Sequence, residues 1–206
     1  RSIRRTVRAH PSAVVLPFLP GTAILTLLAT WGLSQRVVPC ERNDPTRQRL
    51  HPALEWARRL LYRRAAAVTV NTEIAQAAFR RLLHGRIPVH LVANPLPDWA
   101  APDPATPREH LIVSVGRLVP QKRHDDVIRA FTRIASDHPT WRLEIVGDGP
   151  ERERLAQMVA ELSLAARVKL VGHVEDIQLT LNRARILILA SEFEGTPNVL
   201  LEGMLA

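Results

Sequence analysis

The sequence predicts an α/β protein of two doubly wound units. Three observations predict it: short β-rich runs alternate with helix-length segments, several of those runs are apolar throughout, and a proline-rich stretch divides the pattern near its middle. Alternating strands and helices imply parallel strands joined by crossovers, and a strand apolar on both faces implies a sheet covered on both. The 206 residues leave room for two modest domains at ~100 to 200 residues each. A hydrophobic share of 46% suits a globular chain rather than a disordered one.

In chain order, Pro11 to Gln35 carries no charge, a run long enough to raise the question of a membrane-spanning helix. Pro17, Pro20 and Gly21 break it into a strand at 13–16, a turn and a helix at 22–32, and this soluble reading explains the same composition. Strands follow at 37–40, 67–70 and 89–93, with helices at 53–64 and 72–83, the latter stopped by Gly85. Asn94 to Pro107 then places five prolines in fourteen residues, which neither a helix nor a central strand tolerates. That stretch reads as a linker over 95–108, between a first domain at 1–94 and a second at 109–206. The second half restarts the pattern with strands at 111–115, 142–146, 168–171 and 186–190 and helices at 125–137, 151–164 and 176–182. Pro197 fits the first turn of one more helix, with Thr196 as its cap.

The formal charge of +8 is uneven: residues 1–100 hold 15 Arg and 5 acids, whereas 101–206 hold 13 basic residues and 15 acids. Arg1, Arg4, Arg5 and Arg8 have helical spacing, and the helix at 53–64 ends in Arg58, Arg59, Arg63 and Arg64. Like charges so spaced repel unless something anionic offsets them. An anionic membrane surface, a phosphorylated lipid or nucleic acid would do so, beside the plainer reading of a solvated arginine-rich face. No nucleic-acid motif is present, and four Trp, four Phe and one Tyr offer little for base stacking. The single cysteine, Cys40, leaves no internal disulfide and fits a reducing compartment, hence a cytoplasmic protein, and the basic first half adds a peripheral place on the inner face of the plasma membrane as an option. No signal peptide is visible, and a chain that starts at Arg1 and stops inside a helix reads as an internal fragment.

In open parallel sheets ligands bind off the carboxyl ends of the strands, so the loops after the second-half strands are the places to search. After 111–115 comes Gly116-Arg-Leu-Val-Pro-Gln-Lys122, where Gly116 allows a sharp turn and Arg117 and Lys122 offer a fork and a point charge to a phosphate. After 142–146 comes Gly147-Asp-Gly-Pro150, with Gly147 and Gly149 either making a tight turn or letting the backbone approach a ligand. Gly172-His-Val174 follows the third strand; His173 reads as a surface residue, and the backbone around Val174 could edge a base. The last loop is Glu194-Gly-Thr-Pro, then Asn198, Val199 and Leu200, whose first-turn amides suit a phosphate, with Gly195 permitting the turn. Glu194 and Glu202, eight positions apart, would point about 80° from each other on one helix. A helix starting at Pro197 instead sets Glu194 in the loop and Glu202 in the second turn, where it could accept both hydroxyls of a ribose. The plainer reading is a helix acid and a loop acid in water.

These four loops in order, with two acids separated by seven residues, resemble the retaining glycosyltransferases of family four over Val113 to Ala206. The resemblance implies the GT-B fold, two Rossmann-like domains facing across a cleft, both incomplete in this chain. It also implies a sugar moved from a nucleotide-diphosphate sugar, UDP-linked, with retention of configuration and without metal or other cofactor. Arg117 and Lys122 would hold the diphosphate, Glu202 the ribose and Glu194 the donor sugar. The residues agree on the metal, since the eight histidines show no ligand spacing. Glu41-Arg-Asn-Asp-Pro45 resembles a strand-end segment of members that build bacterial surface or lipid-linked glycans, which makes Glu41, Arg42 and Asn43 acceptor-side candidates and a glycan or polyprenyl-linked acceptor the expected partner. Arg42 stands where such members carry a cleft histidine, and Cys40 where Ser is expected; an ion pair between Glu41 and Arg42 is the alternative. Asn94-Pro95 resembles the family's hinge, while its N-terminal glycine-rich loop and closing C-terminal helix lie outside the chain. A nucleotide-sugar epimerase or a phosphorylase on a related fold, and a non-catalytic module for anionic surfaces, are the competing functions.

Overall fold

Residues 2–48, 50–99 and 107–206 are described by the computed structural model. They fall into two units: Arg1–Pro95 with Phe193–Thr196, and Leu96–Glu192 with Pro197–Ala206. The first unit thus runs to Pro95, beside the boundary expected at residue 94, and it also takes in four residues of the last loop. Arg1 and the centre of the proposed linker, residues 100–106, lie outside the described residues.

The first unit opens with helix α1 (Ser2–Ala9) and strand β1 (Val14–Val15). Pro20 then occupies the first position of α2 (Pro20–Ala29), so that helix starts two residues before the expected turn ends. Among the described residues no helix is long and apolar enough to cross a membrane. The expected strand at 37–40 appears as two pieces, β2 (Arg36–Val37) and β3 (Cys40–Glu41). Pro39 between them has no amide to donate, although its carbonyl accepts from the Thr69 amide at 2.9 Å. β1 pairs with β2, β3 with β4 (Val68–Val70), and β4 in turn with β5 (Val89–Leu91), all parallel. Helix α3 (Pro52–Leu61) ends in a 3-10 turn at Tyr62–Arg64, and α4 (Glu73–Leu82) is capped by Thr72, whose hydroxyl accepts from the Ala75 amide. Ile24, Leu27, Tyr62, Val68, Val70 and Phe79 form the core of this unit.

The arginines of the first unit divide by task. Arg4 donates to the carbonyls of Ala29 and Trp31, and Arg64 donates to Leu27 O while its guanidinium lies 3.9 Å from the Trp31 ring centre, so both close the carboxyl end of α2. Arg58 is buried over the Phe79 ring and bonded to Glu55. These three, read from their spacing as surface charges, are structural. Arg59, Arg63 and Arg81 instead line a groove of about 460 Å³ with His84, and exposed Trp56 and Leu60 flank Arg59 and Arg63.

The second unit is a four-stranded parallel sheet ordered β8-β7-β6-β9, built from β6 (Leu111–Val115), β7 (Arg142–Val146), β8 (Val168–Gly172) and β9 (Ile186–Leu187). Helices α5 (His124–Ala135), α6 (Arg152–Glu161), α7 (Ile177–Arg183) and α8 (Asn198–Leu205) intervene or follow. Phe131, Ile128, Leu143, Ile145 and Leu155 pack on one face of the sheet, and Leu111, Val113, Val146 and Ala184 on the other, which meets the expectation of two covered faces. β9 departs from it: the strand is shorter than expected and Ile186 is exposed, because β9 is the edge of the described sheet.

Candidate functional site

The loops after β6, β7 and β8 are sewn together through their backbones. The Gly116 amide donates to Val146 O at 2.9 Å, Leu118 to Asp148 O at 2.9 Å, Gly147 to Gly172 O at 2.7 Å and Glu151 to Leu118 O at 3.0 Å. Such stitching demands close approach, and the sequence supplies it with glycine. Gly147 sits at φ 136°, and a Cβ there would stand 2.1 Å from the Gly116 carbonyl oxygen. The Gly-Asp-Gly turn is therefore a requirement of loop packing. Gly149 meets the same limit against Leu118, whose carbonyl oxygen would lie 2.5 Å from its Cβ.

Above this platform opens a cleft of about 540 Å³. Val115, Gly116 and Arg117 bound it on the first loop, Val146, Gly147 and Asp148 on the second, and His173, Val174, Glu175 and Ile177 on the third. Glu202, from the second turn of α8, also lines it. Of the expected set, the structure thus gathers Gly116, Arg117, Gly147, Val174 and Glu202 around one space. Burial pushes the Glu202 carboxyl above its usual range. Lys122 lies beside the cleft, and its methylenes would come within 3.3 Å of a Cβ on Gly116. Asp148 is partly committed, since its Oδ1 accepts from the Gly149 amide at 2.7 Å.

The start of α8 differs from expectation. Pro197 takes the cap position at φ −70° and ψ 123° rather than the first helical position, and no side chain caps the helix. The Thr196 hydroxyl turns away to donate to Asn71 O at 3.2 Å. The Leu200 amide donates to Pro197 O at 3.1 Å, so it is spent within its own turn. Asn198, Val199 and Leu200 do not line the cleft, and neither does Gly149.

Glu194 and Gly195 belong to the segment held by the first unit. The Asn94 side-chain amide donates to Thr196 O at 2.8 Å, and Arg42 in turn donates to Asn94 Oδ1 at 3.1 Å and to Val92 O at 3.2 Å. The Arg42 guanidinium also lies over the Phe18 ring at 5.6 Å. A Cβ on Gly195 would meet Arg42 O at 2.2 Å. Arg42 therefore braces the Glu194 loop through Asn94, whereas the ion-pair reading had it brace a loop through Glu41. Glu41 points the other way: it is 2% exposed and accepts from the Tyr62 hydroxyl at 2.5 Å. Burial raises the Glu41 carboxyl, against the opposing pull of Tyr62 and Arg58. That carboxyl is thus held in the core of the first unit rather than on an open surface. Asn43, the third candidate, is half-buried.

Sequence reasoning passed over Asp148, Glu175 and Ile177 as lining residues, and also His124, which is buried with Ser114 beneath the first loop. A histidine opening a helix two residues after the loop lysine was the available signal.

In comparison with known proteins, residues 98–206 match the family described as glycosyl transferases group 1. Over 112 residues the chain is 41% identical to an exopolysaccharide phosphotransferase of Streptomyces coelicolor, a match covering 52% of this chain and 12% of that protein. It is 27% identical over 207 residues to the Campylobacter jejuni GalNAc-alpha-(1->4)-GalNAc-alpha-(1->3)-diNAcBac-PP-undecaprenol alpha-1,4-N-acetyl-D-galactosaminyltransferase, covering 98% of this chain and 56% of that one. Among solved structures, a mutant of S. aureus TarM in complex with fondaparinux, alpha-GlcNAc-glycerol and UDP superposes with a TM-score of 0.82 at 16% identity, over 98% of this chain and 42% of that one. The chain therefore spans little more than half of these relatives at most.

Proposed function

Since the chain belongs to the group 1 glycosyl transferases and has the fold of the GT-B enzymes, we propose that it carries the donor site of a retaining, metal-independent hexosyltransferase. The donor is a nucleoside diphosphate sugar, UDP-linked, and the acceptor a glycan or a lipid-linked saccharide. One observation carries this reading: a single cleft at the carboxyl edge of the sheet has the Gly116-Arg117 turn on one loop and the Glu202 carboxyl on α8. Arg117 forks onto the diphosphate, with Lys122 beside it, and both offset the negative charge that grows on the leaving group as the glycosidic bond breaks. Cationic side chains do here the electrostatic work that a metal does elsewhere. Glu202 accepts from the ribose hydroxyls, the backbone near Val174 edges the base, and Glu194 attends the sugar. The ligands of the TarM structure, UDP among them, support the choice of donor, and the lipid-linked saccharide in the name of the Campylobacter enzyme supports the acceptor class. The arginine-lined groove of the first unit suits an anionic membrane surface at which such an acceptor would be met.

The test is made on the full-length protein. A thermal-shift screen against nucleotide sugars should show UDP-linked donors stabilising the fold, since ligand at 100 times its Kd adds ~2.7 kcal/mol. NMR of the anomeric proton in the product then reads retention, and runs without acceptor separate transfer from isomerisation. Lys122→Ala should lower turnover by about 10² to 10³, by analogy with the ~2.7 to 4 kcal/mol lost with one oxyanion donor. Turnover within a few-fold of wild type would remove Lys122 from the proposed role.

A further inference from the structure

His124 is the first residue of α5, and its imidazole is buried beneath the loop that carries Arg117 and Lys122. Its Nδ1 lies 3.1 Å from the Ser114 hydroxyl on β6, and Ser114 is buried as well. Its other nitrogen, Nε2, is buried without a hydrogen-bond partner. Native interiors rarely leave such an atom unmatched, and those that do commonly mark a group with a task. The chain also bends to put the ring there. Arg123, just before it, is in the left-handed region at φ 54° and ψ 37°, a conformation that a side chain other than glycine adopts at a cost.

We propose that His124 is a positioning residue for donor binding: pinned by Ser114, the ring supports the Gly116-Arg117 turn from below and so sets the loop against the donor diphosphate. The inference rests on the donor-site reading above. Ser114 donating to Nδ1 leaves Nε2 to carry the proton of the neutral ring, and the backbone of Arg117 and Gly116 lies near enough to the ring to favour a proton on it.

The charges around the ring give the idea a second face. Lys122 on the loop opposes a proton on the ring and Asp125 on α5 favours one; Arg117 also stands on the loop, and Ser114 of β6 is uncharged. Burial dominates and holds the free imidazole below its usual range, hence neutral. A diphosphate arriving on the loop would offset Lys122 and favour the imidazolium. By linkage, the donor should then bind more tightly as pH falls, and binding should take up a proton.

The experiment titrates UDP into the full-length protein between about pH 5.5 and 8.5, for wild type, His124→Leu, His124→Asn and Ser114→Ala, with circular dichroism as the check on folding. Ionisation of UDP itself is common to all four and cancels in the comparison. We expect tenfold or greater loss of UDP affinity in His124→Leu, a smaller loss in Ser114→Ala, and a wild-type pH slope that is absent from both His124 variants. The imidazole C2–H resonance that disappears in His124→Asn should move to higher pKa when UDP is added to wild type. Folded His124 variants that keep wild-type affinity and pH slope would overturn the proposal while leaving the donor site intact. Should His124→Leu fail to fold, an unchanged pH slope in His124→Asn or an unmoved resonance overturns it equally. Failure of wild type to bind UDP would overturn the donor-site reading and this inference with it.

Discussion

Glu202, in the role proposed for it, would work against stability and for binding. Its carboxyl is raised by burial, so the charged form is less favoured in the folded chain than in the unfolded one. The usual carboxyl value is 4.5, and stability should fall as pH rises from there through the higher folded value. Glu202→Gln removes the charge and keeps the shape. Its melting temperature at pH 7 should equal or exceed that of wild type, and the decline above pH 4.5 should flatten. UDP affinity should nevertheless drop about tenfold to a hundredfold, because a hydrogen bond to a charged group contributes ~1.5 to 3 kcal/mol. Parallel thermal and calorimetric titrations check both halves; a variant that loses stability and keeps affinity would mean that Glu202 holds the helix rather than the ribose.

Among the elements, the loops of the second sheet are the most exacting. Gly147→Ala brings a Cβ to 2.1 Å from a backbone oxygen that cannot retreat without breaking the bonds between loops, so it should lower the melting temperature of the second unit and abolish UDP binding. Gly21 is the contrast: a Cβ there meets nothing within 4 Å, and it lies inside α2. Gly21→Ala should raise stability by about 0.5 to 1 kcal/mol, as a helix gains from losing glycine. Differential scanning calorimetry distinguishes the two. The strands β6 and β7 were legible to the residue, because five consecutive ladder positions carry uninterrupted pattern and no proline. The short strands of the first unit were less so, since Pro39 splits one of them by a missing donor that composition alone does not reveal. The cleft was legible as far as its loops, through glycine and cation placement. Its support was not: the pairing of Ser114 with His124 joins residues ten apart whose partnership only the fold creates. Arg42 and Glu41 part for a related reason: Glu41 ends β3 and turns to Tyr62, whereas Arg42, just past the strand, reaches Asn94, 52 positions on.

Across the whole molecule the unequal charge is the leading feature. With Arg4, Arg58 and Arg64 tied inward, Arg59, Arg63 and Arg81 are among the arginines left outward, and these three stand together around the groove with Trp56 68% exposed beside it. Near an anionic membrane each such charge contributes about 1 kcal/mol. Reversing Arg59, Arg63 and Arg81 to Glu should therefore weaken sedimentation with phosphatidylglycerol-containing vesicles by at least a hundredfold in affinity. Wild-type binding should fade between 0.1 and 0.5 M salt, as screening shortens to a few ångströms at high ionic strength. Equal binding to zwitterionic vesicles would contradict an electrostatic origin.

The four residues Phe193–Thr196 that return to the first unit bear on how such a protein can be recombined. An exchange that took everything after Pro95 from another transferase would import a foreign version of this loop onto Arg42, Asn71 and Asn94, the side chains and backbone that seat it. Modularity in this chain is thus a property of contacts and not of sequence order. A working hybrid would swap the second unit in two pieces and leave the native loop between them.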